Sequence, residues 1–222
     1  MFGYKELGFI IKKLIEEKLN IIDESIQDLI NLGKATAETH ALYTYDLFCT
    51  AILNRSVNIL RGFTLLMRSR NFIAAAPLVR VHLDTLLRLY ASTLVPYNID
   101  DFARKVLRGK QISDLKDRDG NKMRDGYLAK KISELDGLNW IYDVYKAGSG
   151  HIHFSSSAMF SSTKISSEDE RIITGTIGKH DEFISENEKL GAAIRMHEIS
   201  TQIVALVYLW KKQKEGYEKN KA

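Results

Sequence analysis

The chain has 222 residues, 45% of them hydrophobic and 27% charged, with a formal net charge of +4 at pH 7. That is enough chain for one domain with a sizeable core, and the balance is that of a globular protein rather than a disordered or fibrous one. A pI near 9.0 is compatible with a nucleic-acid partner but falls short of a diagnostic basic patch, since surplus lysine on helix faces and at the tail gives the same value.

Two prolines in this length point to long helices, because proline is the residue that stops them. The N-terminal run carries lysines and glutamates among its apolar residues, so it reads neither as a signal peptide nor as a membrane span. The spacing predicts a first helix over residues 4–32, with Ile11, Ile15, Leu19, Ile22, Ile26 and Leu29 on one face and Gly33 as its stop. A second helix is expected over residues 36–69, with Tyr45, Phe48, Ile52, Ile59, Phe63 and Leu66 in one stripe. It contains the single cysteine, Cys49, which has no partner for an internal disulfide and reads as a buried thiol in a reducing, cytoplasmic setting.

A third helix follows almost at once and is apolar nearly all round, the mark of a central element; Pro77 lies in it and Pro96 closes it. Asn98 or Asp100 can cap a short helix through Leu107. The polar stretch after it, residues 109–126, reads as a surface loop carrying both signs of charge. Two short helices are expected next, over residues 127–135 and over a segment ending at Gly148. The β-branched clusters near residues 160–182 suggest a small hairpin or an irregular excursion. A last helix over residues 185–217 carries Ala192, Met196, Ile199, Ile203, Leu206 and Trp210 as a packed seam, followed by a basic tail over about 211–222. Together these describe one all-α domain, an up-and-down bundle of long helices with a possible small β-hairpin.

Two places carry candidate chemistry. On the third helix Arg80, Asp84 and Arg88 are four residues apart, so they share one side, and Arg80 can pair with Asp84. Charges on so apolar a helix need partners; the plain reading is an ion pair that fixes how the helix docks, and the functional one is an arginine that binds an anion such as a phosphate. The second place is the stretch "YKAGSGHIHFSSS", residues 145–157. Gly148 and Gly150 flank Ser149 where a helix is expected to end, and His151 and His153 follow. Two histidines with an arginine or lysine suffice for RNA cleavage without a metal: one removes the ribose 2′-OH proton, one protonates the leaving oxygen, and the cation steadies the phosphorane. A His-Xaa-His pair can also bind zinc, but it needs a further ligand, and His180 and Asp181 are not at a recognised spacing, so no metal and no cofactor is expected. The serines also suit helix ends and turns. No Gly-Xaa-Ser-Xaa-Gly elbow is present. His40, His82, His180 and His197 are given no role.

In "AAAPLVRVHLD", residues 74–84, and "IYDVYKAGSGHIHFS", residues 141–155, the chain resembles the HEPN superfamily of all-α bundles found in bacterial defence and toxin–antitoxin systems. The resemblance covers about residues 60–157 and is stronger in layout than in letters. It implies a metal-independent endoribonuclease, built from an Arg-Xaa(4–6)-His motif that meets its copy across a homodimer. This chain departs from the motif, since the matching position before His151 and His153 is Lys146, which keeps the charge but lacks the bidentate fork of arginine. Lys34 and His40 satisfy the relaxed pattern as well. On the resemblance, His151, His153, Lys146 and Arg80 are the catalytic candidates, and Ser149, Asp84 and Arg88 the binding candidates. RNA or a nucleotide, a second copy, and a partner protein or antitoxin are the implied partners. The alternative is a non-catalytic interaction module that uses the same cleft for a protein, nucleotide or nucleic acid.

Overall fold

An apolar stripe along a helix is stable only against a matching surface, and the computed structural model places four such stripes against one another. It describes residues 4–38, 41–152, 159–167, 172–177 and 181–219. The long helices are α1 (Tyr4–Ala37), α2 (Thr44–Arg68), α3 (Phe72–Leu94) and α7 (Glu186–Lys219). Between α3 and α7 come the short helices α4 (Ile99–Leu107), α5 (Asp125–Ser133) and α6 (Trp140–Ile152), then the strands β1 (Thr163–Ser167) and β2 (Ile172–Gly175).

Paired residues fix the directions. Tyr45 meets Ser92 at 2.6 Å and Arg55 meets Thr85 at 3.0 Å, so α2 and α3 run in opposite directions. Arg68, at the end of α2, holds Glu16 and Asp23 of α1, which makes that pair antiparallel too. Ser25 meets His197 and Thr36 meets Lys214, so α7 runs with α1; His82 meets Ser200, so it also runs with α3. The core is the common interior: Leu19, Ile22 and Leu29, Leu60 and Phe63, Leu83, Leu86 and Leu87, and Met196, Ile199, Ile203 and Val207. The all-α bundle with a small hairpin read from the sequence is thus the observed architecture. β1 and β2 pair antiparallel with Ile165 opposite Ile173, and no helix among the described residues is long and apolar enough to cross a membrane.

Three expected boundaries are corrected by packing. Gly33 does not stop α1: it lies inside the helix, where an added Cβ would sit 3.4 Å from Leu53 Cδ1 of α2, an ordinary packing contact. The second helix starts at Thr44 instead of residue 36, because Asp46 accepts from the Tyr43 backbone N–H at 2.8 Å and so caps a new helix there. The sixth helix runs through Gly148 to Ile152 and does not end at the glycine.

The tail is corrected as well. Lys214 lies within α7 with its side chain 0% exposed, bonded to Asp46 at 2.7 Å and to the Thr36 carbonyl at 3.1 Å. Trp210 Nε1 donates to the other Asp46 oxygen at 2.7 Å. Basic composition suggested a solvated end; instead one of its lysines neutralises a buried aspartate and ties α7 to the start of α2. Next to it, burial pushes the Tyr45 hydroxyl and the Cys49 thiol up from their ordinary values. Cys49 is a buried free thiol, as its apolar setting suggested.

Candidate functional site

α3 puts Arg80 and Arg88 two helical turns apart on one side, and the start of α5 puts Asp125 between them. Arg80 Nη2 donates to Asp125 Oδ2 at 3.1 Å, while Arg88 donates to Asp125 Oδ1 and meets Asp84 at 3.1 Å. The expected Arg80–Asp84 pair is therefore not formed; Asp84 serves Arg88, one turn on, and the partner of Arg80 comes from 45 residues away. The formal charges of the four groups cancel. Arg80 is only 8% exposed, and its guanidinium carbon lies 4.6 Å from the centre of the Tyr145 ring on α6. Two guanidinium nitrogens, Arg80 Nε and Arg88 Nη1, are buried without a hydrogen-bond partner. Charge pairing, ring stacking and burial together make this cluster a clamp between α3, α5 and α6.

Gly148 is the contact that lets α6 lie on this clamp. A Cβ built there would fall 2.8 Å from Arg80 Cβ and 3.1 Å from its Cδ, so no larger residue fits without parting the helices. Position 151 follows three residues later, in the last turn of α6. Lys146, two residues before Gly148, falls on the opposite side; it is exposed, with its ammonium 4.2 Å from the Tyr142 ring centre. Lys146 and Arg80 therefore do not converge. Ser149 donates its hydroxyl to the Tyr145 carbonyl at 3.0 Å, an internal helix contact. His153, His40 and His180 lie outside the described residues.

His82 is fully buried, 3.0 Å from Ser200, and loss of solvent together with the nearby Arg55 charge holds its imidazole down at about 3. It is a neutral packing histidine. Asp181, weighed above as a metal ligand, instead accepts from the Phe72 backbone N–H at 2.8 Å, capping α3, and pairs with Lys189 at 3.4 Å. No group of three metal-ligating side chains occurs among the described residues.

Sequence reading found Arg80, Arg88 and Asp84 but missed Asp125 and the clamping role of Tyr145. Asp125 follows a polar loop with several other aspartates, and no local pattern sets it apart. Gly148 was read as a break when its smallness serves close helix contact. No family model matches the chain, and no curated protein or solved structure matches it.

Proposed function

We propose that the chain is a HEPN-like helical protein that cleaves RNA without a metal at the C-terminal end of α6, as part of a bacterial defence or toxin–antitoxin system. The observation that carries this reading is the Gly148–Arg80 contact: it anchors the helix that bears His151 onto a buried arginine clamp, one turn before the histidine. In this reading His151 and His153 move the protons. Arg80, being closed off by Asp125 and Tyr145, acts as a positioning residue that fixes α6, rather than touching the phosphate. Lys146 is the exposed cation on the same helix and remains available to the RNA backbone from its other side. RNA turnover by wild type, His151→Ala and His153→Ala, each with and without EDTA, tests it. Activity lost in the variants and unchanged by EDTA supports the reading; equal background in all three removes it.

The neutralised arginines favour a second reading, binding without cleavage. A cluster whose charges cancel holds helices together whether or not any reaction follows. In that case the same end of α6 binds RNA or a partner protein, and the histidine variants change affinity with no product formed.

A further inference from the structure

A cavity of about 140 Å³ opens where α3, α6 and α7 meet, with Gly148 in its wall. Its apolar sides combine Val79 of α3 and Val144 of α6 with alanines and glycines from all three helices, Gly148 and Gly191 among them. Ala147, Glu188 and Gly191 are exposed, so the slot opens to solvent and a ligand can enter it from the surface. Phe72 adds an aromatic wall. A cavity of about 150 Å³ with apolar walls takes up a benzene ring, so this one has room for a flat ring.

Two charged residues line it, and they differ. Arg195 is engaged: it donates to Glu198 at 2.6 Å and lies 4.9 Å from the centre of the Trp140 ring. The Glu188 carboxylate has no partner among the described residues. An ionised carboxylate only accepts hydrogen bonds. Beside a ring-sized apolar slot it favours a ring whose edge presents N–H groups. Guanine offers two such groups side by side, adenine and cytosine one exocyclic amine each. Uracil offers a single N–H flanked by carbonyls that a carboxylate repels.

We infer that this cavity is a nucleobase site selective for guanine, and that it supplies base recognition to the RNA site at the end of α6. The inference takes its biological meaning from the RNA reading above, but the pocket itself is testable with mononucleotides. Calorimetric titration of the full chain with GMP, AMP, CMP and UMP should give the tightest binding for GMP and at least about tenfold weaker binding for UMP. Gly191→Leu should remove GMP binding without lowering the melting temperature, because a Cβ at 191 meets nothing within 4 Å and leucine favours a helix over glycine. Glu188→Gln, at an exposed position, should lower the preference for GMP over UMP about tenfold without affecting folding. Equal affinity for GMP and UMP, GMP binding by Gly191→Leu as by wild type, or equal uptake of indole and GMP overturns the inference. Selective GMP binding by a protein that neither binds nor cuts RNA upholds the pocket and defeats the RNA reading. Absence of any nucleotide binding defeats the pocket, while the RNA reading then stands or falls on the histidine variants.

Discussion

Replacing Gly148 by alanine adds one carbon to α6, and the structure fixes where that carbon goes. It lands 2.8 Å from Arg80 Cβ, 3.2 Å from Cγ and 3.1 Å from Cδ. The Cβ of Arg80 is rooted in α3, so it cannot swing aside as the tip of a long side chain can. Relief requires α3 and α6 to part by several tenths of an ångström, which pulls Tyr145 from the Arg80 guanidinium and strains the Arg80–Asp125 bond. Overpacking of this kind costs about 1–3 kcal/mol. The helix itself prefers alanine to glycine by about 1 kcal/mol, so a net loss of roughly 0–2 kcal/mol is expected. Gly191→Ala is the internal control: it lies in α7 with no atom within 4 Å of its added Cβ, so only the helix gain applies, up to about 1 kcal/mol. Urea denaturation should therefore place the Gly148→Ala midpoint below that of Gly191→Ala, and in thermal melts Gly148→Ala should fall below wild type by up to about 8 °C. A Gly148→Ala protein stabilised as much as Gly191→Ala would refute the claim that α6 is seated on Arg80 through this glycine.

Lys214→Met should destabilise the fold by about 3–5 kcal/mol, since it leaves Asp46 buried without its cation; adding Asp46→Asn should recover much of that in a double-mutant cycle followed by urea. His82 gives an acid-side signature. Its folded value of about 3 lies below the ordinary 6.5, so between those values the unfolded chain binds a proton that the folded chain does not. Stability from this group is full above pH 6.5 and falls as pH drops toward 3, and His82→Gln should flatten the decline of unfolding free energy between pH 7 and 4. For the homodimer that the HEPN resemblance implies, light scattering over a dilution series should give twice the 25.3 kDa chain mass at high concentration; a 25.3 kDa species throughout would count against a site shared between two copies.

What the sequence disclosed is what periodicity encodes. Of the expected seam, Met196, Ile199, Ile203 and Trp210 are buried while Ala192 and Leu206 are half-buried at its edge, and the apolar third helix is the central one, because helical spacing directly states which face must be covered. The hairpin was legible for the same reason, from β-branched runs with turn residues between them. Partners distant along the chain were not legible. Asp125 reaches Arg80 and Arg88 only because α5 docks beside α3, and Lys214 reaches Asp46 only because α7 runs alongside α1 to the start of α2. Helix ends depended on this too: Gly33 and Gly148 suggest stops, but the helix continues through both, and at Gly148 the small residue admits a close neighbour. Local sequence does not distinguish a glycine that ends a helix from one that admits a neighbour.

The central claim is that the end of α6 cleaves RNA by attack of the ribose 2′-oxygen on phosphorus, with the P–O5′ bond breaking and the proton passing to the leaving 5′-oxygen. Mass spectrometry of the ends left on a defined RNA, incubated with the protein in EDTA, tests that most directly. The account predicts 2′,3′-cyclic phosphate and 5′-hydroxyl termini that disappear with His151→Ala. Products ending in a 3′-hydroxyl and a 5′-phosphate, or an RNA left intact by the wild-type chain, would contradict it.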